Sequence, residues 1–302
     1  MARLNQGDRA RYVRTVIRLD IATVLLQWAT GGLLFLWVTT RRREVGIGYG
    51  WLLRVTYGVL AALAFVTGRA LEPVLIRELA SAGVVVAAVA ALAVSVVRRK
   101  AGVSGERAEQ ARKAERVAAM TGRGATGDEP APLAVLRAEF PPGLDLVAPA
   151  LGMIGLVAAA LDAGGSPFLG LARTLAGAAF LGAVSDAMLL GHWYLVQPGM
   201  ARKPLLELVR WLTMIWPVEI VALLLPTGML SVLSGSIADG YNGLLGWFWV
   251  ACALATLVLC FVTRAALKER YYSAVMAATG FLYLAILTAF GTDLVARAVL
   301  AG

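Results

Sequence analysis

Eight apolar runs, each about as long as the roughly 20 residues a helix needs to cross a bilayer, leave this 302-residue chain one class of fold. They cover about Leu19 to Thr40, Gly48 to Thr67, Leu79 to Val97, Leu144 to Leu161, Leu169 to Val196, Leu205 to Leu233, Leu244 to Val262 and Ala274 to Leu294. Inside hydrocarbon a backbone must satisfy its own hydrogen bonds, and a single segment of this length does so as a helix. The expected fold is therefore all-α, a polytopic membrane bundle of eight transmembrane helices. Charged residues make up 16% of the chain, against about a quarter in soluble domains, which agrees.

The ends of the runs carry most of the charge. Arg41 to Arg43, Arg98 to Lys100, Arg202-Lys203 and the stretch from Arg264 to Arg270 are basic, whereas Asp162 to Pro167 and Ser234 to Asn242 are not. This alternation is the positive-inside pattern, and it predicts a multi-pass protein of a bacterial-type cytoplasmic membrane. A nucleic-acid binder would instead gather its +9 charge on one soluble face, so the expected partners are the lipid bilayer and other subunits, not nucleic acid. Residues 1–18 hold five arginines and read as a basic amphipathic segment lying in the interface. Those arginines favour an inside N-terminus, while the four basic loops place both termini outside. The polar stretch 98–142 reads as a cytoplasmic insert, dividing three helices in 19–97 from five in 143–302.

Ionisable groups are costly in hydrocarbon, and where they occur they are turned inward, paired or functional. The hairpin of the fifth and sixth runs holds four: Asp186, His192, Arg210 and Glu219. Antiparallel pairing about a turn at Pro198 to Pro204 sets His192 level with Arg210. It also sets Asp186 near the midplane, with Glu219 about one helical turn farther out. Two carboxyls at that depth repel one another and lose hydration, so at least one is expected to hold a proton at neutral pH. Asp186 and Glu219 are thus candidates for a proton relay.

Beside them, His192, Arg210, Tyr194 and Gln197 offer the hydrogen-bonding groups of a quinone-type pocket. His192 is also a candidate axial ligand for a b-type haem, but it is the sole histidine, so a bis-His haem within this chain is excluded. Three functions follow from this hairpin. The leading expectation is a membrane subunit of a respiratory or redox complex with a quinone or proton-transfer site. The others are a proton-coupled solute transporter or channel, and a non-catalytic anchor or assembly subunit. In the last, the acids only cap backbone groups and Arg210 reaches up to phosphate.

The remaining motifs carry less. Cys252 and Cys260, eight apart in one apolar run, fit packing better than metal or redox chemistry. Tyr49 and Trp51 beside Arg54 suggest an interfacial arginine. Asp293 and Arg297 are spaced for an i,i+4 ion pair at the outer end of the last run. Gly170, Ala172, Ala176, Gly177, Ala178, Gly182 and Ala183 give the fifth run a small-residue face, which places it inside the bundle.

Overall fold

A computed structural model describes residues 20–105, 139–197, 200–225 and 228–301, with scattered positions between 107 and 119. The amphipathic N-terminal segment and most of the insert lie outside the described residues. Among the described residues eight long helices run up and down: α1 Ile21–Thr40, α2 Ile47–Ala70, α3 Leu75–Val97, α4 Val147–Asp162, α5 Pro167–Val196, α6 Lys203–Leu224, then, after a short α7 Met229–Leu233, α8 Leu244–Lys268 and α9 Tyr272–Ala301. Seven of the helical segments are long and apolar enough to cross a membrane. The exception, α6, is 22 residues long but carries Lys203, Glu207, Arg210 and Glu219. Side chains such as Val86, Val89, Val258 and Leu287 stand more than half exposed on the outer faces. A water-soluble protein does not offer so continuous an apolar surface, and the architecture is that of a multi-pass membrane protein.

The insert separates three helices from five in sequence but not in space. Helix α1 packs on α2, α4 and α5, and α3 packs on α4. The centre is α5, as its small face predicts. Gly31 of α1 and Gly182 of α5 meet backbone to backbone: a Cβ added to Gly182 would lie 2.6 Å from the Gly31 Cα. This close crossing is where packing in lipid gains most, since there is no hydrophobic drive between helices there.

Alternation of the helices sorts the charges by end. Asp20, Glu72, Asp162 and Asp239 lie at one, here the acidic end; Arg41 to Arg43, Arg98 to Lys100, Arg202-Lys203 and Lys268 lie at the other, the basic end. At the acidic end Asp20 caps α1, accepting from the Ala22 amide at 3.0 Å. The sixth run proves shorter than its apolar composition suggests. Leu225, which precedes a proline, is extended rather than helical (ψ 162°), so α6 stops at Leu224. Beyond it, Asp239 takes the amides of Tyr241, Gly243 and Leu245 at 2.8–2.9 Å and so holds the start of α8. The Gly243 and Tyr241 amides keep the Asp239 carboxyl below the usual carboxylate range.

At the basic end, Glu139 pairs with Arg43 and Arg107, both at 2.7 Å, and its carbonyl accepts from Arg98 at 2.9 Å. These contacts clamp the two ends of the insert to the α1–α2 loop. Arg54 overturns the interfacial expectation. It is 3% exposed and bonded through Nε and Nη2 to Asp145, both at 2.8 Å, with its guanidinium stacked over Phe140. Tyr49 is buried with it and faces the core; a deep partner, absent from the local sequence, brings the charge inside.

Candidate functional site

Asp186 is fully buried on α5. Its Oδ1 accepts from the Tyr57 hydroxyl of α2, while Oδ2 has no hydrogen-bond partner among the described residues. Tyr49, two turns before Tyr57, donates to the Asp186 carbonyl at 3.2 Å. Tyr57 reaches that far because Gly32 of α1 leaves its ring room; a Cβ at residue 32 would fall within the ring. Next to Asp186, Ser185 accepts from the Trp28 indole at 2.8 Å. Two tyrosines and one carboxyl thus form a closed polar centre between α1, α2 and α5. Tyr57→Phe is expected to leave both Asp186 oxygens without a donor and to cost about 1–2 kcal/mol. Denaturant titration in mixed micelles measures this, and an unchanged midpoint would show that the hydroxyl is not needed.

Glu219 forms a second and richer centre. It is fully buried on α6, and among the described residues no donor reaches either carboxylate oxygen. Its neighbours are Asp293 and Arg297 of α9 and Arg173 of α5. The Asp293 contact is between two carboxyls, so it is a hydrogen bond only when one of them holds a proton. Asp293 is itself bound in a fork by Arg297, Nε to Oδ2 at 2.7 Å and Nη2 to Oδ1 at 3.0 Å. The i,i+4 ion pair expected from sequence is formed, but in the interior instead of at a wet helix end. Gly177 makes room for it, because a Cβ there would stand 2.9 Å from Asp293 Oδ1 and 3.1 Å from both Arg297 Nη2 and Gln27 Nε2. Arg173 donates through Nε to the Ala222 carbonyl at 3.0 Å and through Nη2 to that of Leu225 at 3.3 Å. It thereby satisfies helix-end carbonyls that α6 would otherwise bury unpaired.

Arg297 also borders a cavity at the acidic end. This cavity of about 30 Å³ is lined by Arg297, Thr174, Thr23, Asp20, Arg77, Glu72 and Asp162. That is enough room to admit water. Arg77 crosses it, bonding Asp20, Glu78 at 2.9 Å and the Glu72 carbonyl at 2.5 Å. From the rim inward the charged groups therefore run Asp20, Arg77, Arg297, Asp293, Glu219.

The two acids proposed as one relay belong to these separate centres. The Arg173–Ala222 bond sets Glu219 level with about Ala176, some ten residues or roughly 15 Å along α5 from Asp186. The expected separation was one turn. Part of that shift follows from α6 being already helical at Lys203, within the stretch assigned to the turn.

The four quinone-pocket candidates are likewise dispersed. His192 is exposed and shares a 2.9 Å hydrogen bond with the Tyr283 hydroxyl of α9. Tyr194 is buried and donates to the Ala201 carbonyl. Gln197 accepts from Trp193 at 3.1 Å. Arg210 lines a groove with α8. Each has its own hydrogen-bond partner or groove, and the pocket that Tyr194 lines is not the one that Arg210 lines. Among the described residues no group of three His, Cys, Asp or Glu side chains is placed to hold a metal ion.

Sequence reasoning missed Arg173, Tyr57 and Gln27. Arg173 had a signal, a lone charge within an apolar run; Tyr57 and Gln27 had none, since each matters only through a partner on another helix. No protein-family model matches this chain, and neither do the curated proteins or the solved structures. The geometry alone carries the functional reading.

Proposed function

We propose that this chain is an integral membrane proton-transfer protein whose working group is Glu219. The observation that carries the reading is a buried carboxyl with no donor on either oxygen among the described residues, set against an ion-paired second carboxyl. In the connected set, Asp20, Glu78, Asp293 and Glu219 face Arg77, Arg173 and Arg297. Glu219 and Asp293 are the two carboxyls of this set in contact with each other, and two carboxyls side by side in a dry interior share one proton. Asp293 is committed to Arg297, so the proton belongs on Glu219, donated toward Asp293. Two carboxyls sharing one proton are a recurrent acid–base device.

The small cavity runs from the acidic end to Arg297, whose guanidinium holds Asp293, and this supports entry of protons from that end. Its size favours proton movement over solute passage. In this reading the basic end faces the cytoplasm of a bacterial-type membrane, and partner subunits bring the redox groups that drive the proton. Asp186, roughly 15 Å deeper, is a second proton-holding centre with Tyr57, not the immediate relay partner of Glu219.

Infrared difference spectroscopy on the purified protein tests where the proton sits. A protonated-carboxyl C=O band that shifts in D2O is expected in the native protein and is expected to vanish in Glu219→Gln. In proteoliposomes under an imposed potential, the same variant is expected to lose proton flux by roughly a hundredfold, the scale on which a positioned acid–base group acts. Native flux in Glu219→Gln would sink the proposal.

A further inference from the structure

The basic end carries a groove that the proton path does not use. It has a volume of about 590 Å³ and is lined by Arg42 of the α1–α2 loop, by Lys203, Leu206, Glu207, Arg210, Trp211 and Met214 of α6, and by Arg264 and Lys268 of α8. Its one described carboxylate is already engaged. Glu207 bonds Arg41 at 2.5 Å and Arg42 at 3.2 Å. Lys203, Arg210, Arg264 and Lys268 are exposed, and no ion pair joins any of them to a described carboxylate.

Four cations that no described carboxylate pairs converge on one concavity and repel each other, and an anion placed among them offsets that repulsion. Their floor is not polar. Trp211 and Met214, 37% and 43% exposed, continue the groove along α6 toward the lipid-facing surface. The groove thus joins a polycationic mouth at the membrane boundary to an apolar slot within it. Soluble anions have no use for the slot, and apolar ligands have none for the mouth.

We infer that this groove binds a phospholipid with a polyanionic headgroup, the phosphates held by Lys203, Arg210, Arg264 and Lys268 and an acyl chain lying on Trp211 and Met214. Guanidiniums suit phosphate because they bind two oxygens in one plane. Basic pockets between helices at the positive side of a membrane protein are a known physical solution for such lipids. The bound lipid would tie α6, the most highly charged helix, to α8 and to the α1–α2 loop.

The test uses the full chain in nanodiscs and detergent, with cardiolipin, phosphatidylcholine and inorganic pyrophosphate as probes. Native mass spectrometry is expected to show cardiolipin retained and phosphatidylcholine lost. Arg210→Gln with Lys268→Gln is expected to weaken cardiolipin binding roughly 30-fold, two cations at the strength of juxtamembrane bases. The charge-matched pair Arg99→Gln with Lys100→Gln, exposed at the same end outside the groove, is expected to bind as the native protein does, and its melting temperature and that of the groove variant serve as folding controls. Equal weakening in both variants would mean general surface attraction and overturn the site. Displacement of the lipid by millimolar pyrophosphate would overturn the lipid assignment in favour of a soluble anion.

Discussion

Gly182→Val is expected to abolish the folded bundle, whereas Gly280→Ala is expected to leave its stability close to native. The two glycines sit in mid-helix on α5 and α9, and only their surroundings differ. A Cβ on Gly280 meets nothing within 4 Å, while one on Gly182 falls 2.6 Å from the Cα of Gly31. Overpacking usually costs about 1–3 kcal/mol because a neighbouring side chain can swing aside. At Gly182 both walls are backbone, so relief requires α1 and α5 to part along their length. That separation would also open the Trp28–Ser185 bond and shift Gly32 away from Tyr57, undoing the Asp186 centre. Several small losses then act together against a total stability of about 5–15 kcal/mol. The measurement is the yield of monodisperse protein after detergent extraction, followed by the denaturant midpoint of whatever survives. A Gly182→Val protein with the native midpoint would show that α1 and α5 are not held by this crossing.

The small-residue face of α5 made that crossing foreseeable, and the run lengths made the bundle so. Which residues share a depth was not foreseeable. Rotating or sliding one apolar helix against another by a few residues changes no local pattern, yet it moves Glu219 from the neighbourhood of Asp186 to that of Asp293. Asp293 and Arg297 were legible as a pair because both partners lie on one helix, four residues apart. Their placement against Gly177 and Glu219 was not, since it depends on three helices at once. Arg173 shows the intermediate case. Its charge within an apolar run announced an inward role, but its partners are carbonyls at the end of α6, and every residue has a carbonyl. Proline chemistry could have ended the sixth run correctly, because the residue before Pro226 is biased against helix.

Arg54→Leu is expected to cost about 3–5 kcal/mol, and Arg54→Leu combined with Asp145→Leu is expected to recover most of that loss. The native pair is nearly dry, with Arg54 and Asp145 each 3% exposed. Two parallel bonds of 2.8 Å join them, and Phe140 covers the guanidinium face at 4.4 Å from ring centroid to Cζ. Removing one member leaves the other charged, dehydrated and alone, which is the expensive outcome. Removing both replaces a costly desolvated pair by apolar volume at the same place, and such exchanges are often neutral. Arg54→Lys should fall between, because an ammonium cannot supply the planar fork or the ring stack. The order of midpoints in mixed-micelle unfolding is therefore native, then double variant, then Arg54→Lys, then Arg54→Leu. A double variant no better than Arg54→Leu alone would mean that the two side chains act separately. It would also remove the reason for the first turn before α4 to dock under α1, where Thr40 adds a 3.1 Å bond to the same Asp145 carboxylate. Charge burial at this end is then a fastening device, in contrast to the acidic end, where a carboxyl without a donor has no fastening to make.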